Sequence, residues 1–189
     1  MQKNFNIVIT GVGGQGLITL LDVISQAAFN KGLDVKTSEL HGLSQRGGSV
    51  SVYIRFGKKV YSPMVPKGKA DLVLALEFQE ALNAVEFANK NTVFVVNNFQ
   101  TPTLAESASL KQVEENIRLA TDKVFTSPFS ATCEKELQNG VVVGVAMLGF
   151  ALKKEFLALK KEEITEAIKQ TMPDKFWDLN LKALDLIKP

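Results

Sequence analysis

The sequence predicts an α/β fold: a Rossmann-like, three-layer α/β/α arrangement on a mostly parallel sheet with an inserted antiparallel hairpin near residues 50–62. Three observations predict it. An apolar strand at residues 5–10 runs through a glycine-rich loop into an amphipathic helix. Residues 70–76 and 92–96 are continuous apolar runs, which are typical of parallel strands covered on both faces. Residues 50–56 alternate strictly, which indicates a strand with one solvated face.

The composition is that of an ordinary globular chain, and it excludes several classes of function. The 189 residues suit one domain, 1–189, that can bury a core without disulfides or metal. The 22 basic and 20 acidic residues give a net charge of +2, and no basic segment carries interleaved aromatics, so we expect no nucleic-acid partner. No apolar run approaches the ~18 residues of a membrane span, and the first residues lack a signal-peptide core. We therefore expect no membrane contact and a cytoplasmic location.

Cysteine and histidine each occur once, as Cys133 and His41. One cysteine excludes an internal disulfide, a cysteine-based zinc site and an iron–sulfur cluster held by this chain. We expect no metal site. Cys133 is open to two interpretations, a thiol nucleophile or an inert small hydrophobe, and we favour the second because the histidine is remote in sequence.

The glycine loop at residues 11–16 has the sequence GVGGQG. Gly11, Gly13 and Gly16 fit the spacing G-x-G-x-x-G, at which glycines allow a tight turn and close approach of the backbone to a phosphate. The helix that follows would offer N–H groups and the positive end of its dipole to an anion. The alternative is that the glycines only let the strand turn sharply into its helix.

A second strand at residues 33–38 is predicted to complete a βαβ unit. Glu39 at its end lies where a dinucleotide fold keeps an acid for the ribose hydroxyls, although any glutamate at the sheet edge could occupy this position. Residues 39–49 then pack an acid, an imidazole, an amide, a guanidinium and three glycines into one connection. Gly47 and Gly48 can form an anion nest, and Arg46 adds a planar fork suited to phosphate or carboxylate. A loop whose polar groups satisfy its own backbone is the alternative.

The second half of the chain is predicted to add strands and helices. Glu77 and Asn97 follow apolar runs, so they should line one edge of the sheet with the glycine loop. Residues 141–152 are apolar all round and too short to span a membrane. We expect this helix in the core or at a subunit interface, and we favour the interface because every face needs cover. Further helices are predicted at residues 78–87, 110–120, 153–170 and 174–187.

Four segments together resemble a known family: residues 11–16, residues 39–49, residues 60–63 and residues 70–71. The combination is similar to the gamma-type subunit or domain of 2-oxoacid:ferredoxin oxidoreductases, and within that family to the small subunit of the indolepyruvate enzymes. The resemblance is strong over residues 5–77 and holds in outline beyond them. It is specific, because an isolated glycine motif would not predict the later sequence QRGG.

The resemblance implies a role as one subunit of an oxidoreductase that decarboxylates an arylpyruvate, passes two electrons to ferredoxin and releases acyl-CoA. Thiamine diphosphate and 4Fe-4S clusters are then expected on a larger partner subunit, with coenzyme A as a substrate. The chain itself would hold no cofactor, would be inactive alone, would meet ferredoxin only indirectly, and could form a homodimer when isolated.

The residues and the resemblance together define a candidate site that faces the partner's active site. Arg46 and the N–H groups near Gly13 and Gly14 are expected to hold coenzyme A phosphates or the substrate carboxylate. The candidate catalytic residues are His41, Gln45 and Arg46, and the candidate binding residues are Gly11, Gly13, Gly14, Gly16, Glu39, Gly47, Gly48 and Ser49.

Two other functions remain open at this point. A free-standing NAD(P)-dependent oxidoreductase would explain the glycine spacing and Glu39, but the chain shows neither a substrate domain nor a Ser/Tyr/Lys catalytic set. A non-catalytic nucleotide-binding or assembly subunit would use both loops only for protein contact.

Overall fold

The computed structural model describes residues 4–42, 47–102 and 108–187. Six strands in those residues form a sheet in the order β2-β3-β1-β4-β5-β6, with helices on both faces. The predicted α/β class is confirmed. The strands are β1 (Phe5–Val12), β2 (Asp34–His41), β3 (Ser49–Gly57), β4 (Leu72–Ala75), β5 (Val93–Asn97) and β6 (Val124–Ser127).

The direction of the strands divides the sheet into two parts. β1, β4, β5 and β6 are parallel neighbours, whereas β3 runs antiparallel to both β1 and β2 along its length. The antiparallel insertion expected from the alternating residues is thus present. The simple βαβ unit is not, because β3 lies between β1 and β2 and takes the edge of β1 that β2 would have used.

The prediction of a second hairpin strand at residues 60–62 is wrong. Residues 60–62 form no strand, because β3 already pairs with β1 on one edge and β2 on the other. Polar contacts hold the segment as a loop instead. The Asp34 carboxylate accepts the N–H of Val60 at 2.8 Å, and the Arg55 guanidinium donates to the carbonyls of Ser62 and Met64 at 2.8 and 3.0 Å.

Helices cover both faces of the sheet, and two apolar cores result. The larger core lies under the face that packs against the first helix and the C-terminal helices. The smaller lies under a 3-10 helix, Gln79–Phe87, and the second α-helix. The α-helices are α1 (Leu17–Asn30), α2 (Leu110–Arg118), α3 (Phe129–Leu137), α4 (Val143–Lys153), α5 (Lys161–Thr171) and α6 (Trp177–Leu186).

The all-apolar helix is α4, and the interface interpretation favoured for it is wrong over residues 143–151. These residues are all buried within the chain, under α6, α3 and the sheet. Small residues allow this close cover: a Cβ on Gly149 would lie 2.0 Å from the carbonyl oxygen of Leu184 in α6. Only Val141, in the short 3-10 helix Gly140–Val142 before α4, remains largely exposed, at 78%.

Within the described ranges, no helix combines the length and the apolar character that crossing a bilayer requires.

Candidate functional site

The candidate site lies where the strand order reverses, at the carboxyl edge between β1 and β4. Open α/β sheets bind ligands at such an edge. Here the glycine loop follows β1, Glu77 follows β4, and Asn97 ends β5. A cavity of about 690 Å³ opens at this edge. Its lining includes Val12, Gly13, Gly14, Gln15, Gly47, Leu76, Asn97, Asn98, Phe99, Thr101, Ser130, Glu134 and Val141.

The structure brings the glycine loop and the residues 47–48 together. The N–H of Gly13 donates to the carbonyl of Gly48 at 2.9 Å, and the N–H of Gly47 donates to the carbonyl of Gly13 at 3.4 Å. These bonds continue the antiparallel ladder of β1 and β3 past its last pair. The Gly13 N–H is therefore already paired within the chain, which leaves Gly14 and the first turn of α1 as the nearer donors for a ligand.

The glycine loop ends in a helix start that has no side-chain cap. Gly14 and Gly16 adopt positive φ angles of +104° and +82°, a conformation that favours glycine. The first N–H groups of any α-helix lack an intrahelical acceptor, and Gly16, the N-cap of α1, has no side chain that could accept from them. The helix dipole adds partial positive charge at the same point. This geometry suits an anion.

Gly11 has a different reason to be glycine from the one that the motif suggests. A Cβ at this position would lie 2.7 Å from Oε1 of Gln15 and 3.2 Å from Cβ of Leu76. The space beside Gly11 is thus filled by the chain itself, chiefly by the amide of Gln15. Close internal packing, rather than close approach of a phosphate, accounts for this glycine.

A buried carboxylate joins the loops at the ends of β1, β4 and β5. Glu77 is only 4% exposed. Its Oε2 accepts a hydrogen bond from the Thr101 hydroxyl at 2.6 Å and a longer one from Nε2 of Gln15 at 3.5 Å. The other end of the Gln15 amide, Oε1, accepts the N–H of Val12 at 2.8 Å. We call Gln15, Glu77 and Thr101 the loop clamp.

Asn97 fastens the start of α3 to the same edge. It is 1% exposed, and its Nδ2 donates to the carbonyl of Leu76 at 2.9 Å and to the hydroxyl of Ser130 at 2.7 Å. Its Oδ1 accepts the N–H of Ser130 at 3.1 Å. One side chain therefore joins the end of β5, the end of β4 and α3, and it fixes the far wall of the cavity.

Ser49 belongs to a second polar cluster, with Glu80 and Asn83 of the 3-10 helix Gln79–Phe87. Its hydroxyl donates to the carboxylate of Glu80 at 2.5 Å and accepts from the amide of Asn83 at 3.1 Å. Burial raises the pKa of Glu80, and the nearby negative charge of Glu77 also raises it. Two neighbouring carboxyl groups, those of Glu77 and Glu80, thus lie near Ser49, and their negative charge disfavours another anion there.

The predicted site residues on β2 lie away from the cavity. Glu39 and His41 are exposed, and they pair with Val52 and Val50 of β3 rather than with β1. The nearest recorded contact of the His41 ring is between Nδ1 and the carbonyl of Gly42, at 3.4 Å. Neither residue lines the cavity. Gln45 and Arg46 lie outside the described residues.

The chemistry of the described lining is sparse. It contains one carboxylate, that of Glu134, and no lysine or arginine. Cys133 is fully buried nearby, and burial raises the pKa of its thiol to about 11, which agrees with an inert hydrophobe. Across the described ranges, no group of three or more His, Cys, Asp or Glu side chains could hold a metal ion.

Sequence reasoning missed several residues that shape the site. Gln15 was a spacer within the glycine motif, and Thr101 lay in a polar connection without a pattern. Ser130 lies two residues after Pro128, at the predicted start of a helix, which was its only signal. Each acts through a partner more than 20 positions away in sequence, which local patterns do not reveal.

Comparison with known proteins connects this geometry to a family. Residues 6–187 match the family model described as pyruvate ferredoxin/flavodoxin oxidoreductase. The chain is 38% identical to the indolepyruvate oxidoreductase subunit IorB of Pyrococcus horikoshii, over 97% of this chain and 94% of that protein. It is also 38% identical to the subunit of the same name from Archaeoglobus fulgidus, over 96% of this chain and 92% of that protein.

Solved structures share the fold at lower identity. The gamma subunit of a keto/oxoacid ferredoxin oxidoreductase from Geobacter sulfurreducens superposes with a TM-score of 0.71 at 20% identity, covering 96% of this chain and 95% of that one. The 2-oxoglutarate:ferredoxin oxidoreductase of Magnetococcus marinus, solved with 2-oxoglutarate, coenzyme A and succinyl-CoA bound, gives 0.72 at 20% identity. That match covers 98% of this chain but 30% of the longer one.

Proposed function

The chain belongs to the pyruvate ferredoxin/flavodoxin oxidoreductase family as a small oxidoreductase subunit, and we propose that its enzyme converts an arylpyruvate such as indolepyruvate. The reaction would join the acyl group to coenzyme A, release carbon dioxide and pass two electrons to ferredoxin. The observation that carries this proposal is the 38% identity to indolepyruvate oxidoreductase subunits over nearly the whole chain.

The redox cofactors of this enzyme belong on a larger partner subunit. An iron–sulfur cluster needs several thiolates, and the single, buried Cys133, with its pKa raised to about 11, does not fit such a group. Thiamine diphosphate would supply the electron sink for decarboxylation when bound to the partner. In the Magnetococcus enzyme, the region that shares this fold is only 30% of the chain, which leaves most of that chain to hold other groups.

This chain would contribute an anion-binding wall beside the partner's active site. Gly14 and the uncapped first turn of α1 supply N–H groups and the positive helix end. The described lining contains no lysine or arginine. Arg46, two residues before the Gly48 that contacts the glycine loop, is therefore our candidate for a positively charged side chain that binds the anion. The ligand would be a phosphate of coenzyme A or the substrate carboxylate. The coenzyme A bound by the Magnetococcus relative favours the phosphate.

The first prediction concerns Arg46→Ala in the complex reconstituted with the larger subunit. A charge-assisted hydrogen bond contributes about 1.5–3 kcal/mol, so the KM for coenzyme A should rise by roughly 10- to 100-fold. Viologen reduction with several 2-oxoacids measures this directly. Arg118→Ala, on the exposed side of α2, is the matched control and should leave the KM unchanged.

The same variants separate the proposal from an assembly role. If Arg46→Ala and His41→Ala release the small subunit on gel filtration, the loops serve protein contact. If the complex stays intact while the KM for coenzyme A and for the 2-oxoacid both equal those of the unmodified complex, Arg46 has no part in binding either substrate.

The rival NAD(P)-dependent enzyme is disfavoured by the strand order. A dinucleotide fold carries its ribose-binding acid on the strand beside the glycine-loop strand. Here β3 separates β1 from β2, so the strand that carries Glu39 lies two strand spacings, roughly 10 Å, from β1 instead of one. The glycine loop and Glu39 therefore cannot act on one nucleotide in the usual way.

A further inference from the structure

We propose that Glu77 is a positioning residue: through Gln15 it holds the glycine loop in the conformation that faces the cavity. The positioning role is inferred from the contacts of the loop clamp alone, whereas the identity of the ligand rests on the proposed function. Glu77 is 4% exposed, and a carboxylate at such a depth costs free energy unless hydrogen bonds satisfy it. An apolar side chain would fill the same space without that cost, which indicates that the charge has a use.

The charge fixes which way the Gln15 amide points. A carboxylate only accepts hydrogen bonds, so it turns Nε2 of Gln15 towards itself. The carbonyl end, Oε1, must then face the loop, where it accepts the N–H of Val12 at 2.8 Å. The reversed amide would set Oε1 against the carboxylate and Nε2 against an N–H donor. Glu77 thus selects one of two otherwise similar orientations.

The chosen orientation matters because the loop folds around this amide. The backbone N–H of Gln15 donates to the carbonyl of Val12 at 3.1 Å, so side chain and backbone together close the turn. The amide also packs on Gly11, where no Cβ would fit. If the amide leaves, Val12, which is buried, loses the acceptor for its N–H. The turn that places Gly14 at the cavity would then relax.

Thr101 extends the clamp to the opposite side of the cavity. Its hydroxyl donates to the same oxygen of Glu77 that Gln15 approaches, and Thr101 itself lines the cavity. The loop after β5 and the loop after β1 are therefore connected through one atom. The width of the cavity between them depends on that connection.

The test exchanges the two ends of the clamp. Gln15→Glu keeps an acceptor for Val12 but places a second carboxylate beside Glu77. The double variant Gln15→Glu with Glu77→Gln restores one amide and one carboxylate, because the amide introduced at position 77 can donate to the carboxylate introduced at position 15. The hydroxyl of Thr101 can accept as well as donate, so its bond survives the exchange.

A matched control is available elsewhere in the fold. The carboxylate of Glu114 in α2 accepts a hydrogen bond from the hydroxyl of Thr126, as the carboxylate of Glu77 does from Thr101. Glu114→Gln therefore removes the charge of a similar carboxylate, at a position that does not line the cavity. Glu114→Gln should leave the kinetics of the complex unchanged.

In the reconstituted complex, Gln15→Glu should raise the KM for coenzyme A about tenfold, the equivalent of one lost hydrogen bond, and change kcat less than about twofold. The double variant should return the KM to within about twofold of the original. A general loss of stability would not show this rescue.

Amide hydrogen exchange in the full chain gives a readout that does not depend on the reaction. Exchange at Val12 and Gln15 should accelerate at least tenfold in Gln15→Glu and recover in the double variant. If exchange or KM is unaltered by Gln15→Glu, or the double variant is no better than the single one, the positioning role is overturned. If the unmodified complex shows no viologen reduction dependent on a 2-oxoacid, the proposed function fails, and hydrogen exchange alone decides the role of Glu77.

Discussion

The polar side chains near the strand ends are buried in the half of the sheet on one side of β1 and exposed in the half on the other side. On the parallel side, Glu77 and Asn97 are buried at 4% and 1% exposure, and each bonds to at least two other segments. On the antiparallel side, Glu39 and His41 are exposed on the outermost strand. A single insertion produces the difference. β3 brings its own N-terminal end, and with it Gly48, to the glycine loop, and at the same time it moves β2 out of reach of that loop.

This contrast shows that the direction of each strand determines which of its two flanking loops lies at the site edge of the sheet. Parallel strands all end at one edge, so the residues that follow them meet there. The N-terminal end of an antiparallel strand lies at that edge, so the loop that precedes the strand, rather than the loop that follows it, is placed there. Gly47 and Gly48 face the glycine loop for this reason, although they precede a strand rather than follow one.

The largest effect should come from removing a buried cross-strand amide. Asn97→Ala leaves the carbonyl of Leu76 and both polar groups of Ser130 without this partner, so we expect a loss of about 2–4 kcal/mol in the free energy of unfolding. Urea denaturation measures it. Asn83→Ala, in the exposed cluster with Ser49, is the matched control and should cost less than about 1 kcal/mol. Equal losses would show that burial does not distinguish the two sides.

A smaller effect of opposite sign is expected on the strand that the two halves share. The hydroxyl of Thr10 in β1 is buried and has no hydrogen-bond partner among the residues that the structure describes. Thr10→Val removes that polar atom at nearly constant shape, so stability should stay unchanged or rise by up to about 1 kcal/mol. Thr92→Val should instead lose about 1–3 kcal/mol, since its buried hydroxyl donates to the carbonyl of Ala70 at 2.6 Å. Similar values for the two variants would contradict this assignment.

Much of this architecture could be predicted from the sequence, because it is local. The apolar runs gave β4 and β5, and the glycine loop gave the turn from β1 into α1. Even the placing of Glu77 and Asn97 at the site edge followed from their position after apolar strands. These predictions needed only the period of the side chains and the common direction of parallel strands.

The parts that could not be predicted depend on distant partners. Residues 60–62 have a strand-like composition, but both edges of β3 pair with earlier segments, whose residues lie up to 51 positions before their partners in β3. α4 looked like an interface helix because nothing in its own sequence shows that α6 would cover it. The loop clamp was missed for the same reason, since Gln15 and Glu77 are 62 positions apart.

The smallest expected effect is the absence of a response to NADH. Because β3 displaces Glu39 from the strand beside the glycine loop, the isolated chain should show no saturable NADH binding, and NADH should not raise its melting temperature. Glu39→Gln should therefore behave as the unmodified chain does in both titrations. Saturable NADH binding that Glu39→Gln abolishes would mean that the antiparallel half supplies a nucleotide site after all. In that case the antiparallel half of the sheet, whose polar residues are exposed, would bind the ligand, and the buried polar residues of the parallel half would serve only to stabilise the fold.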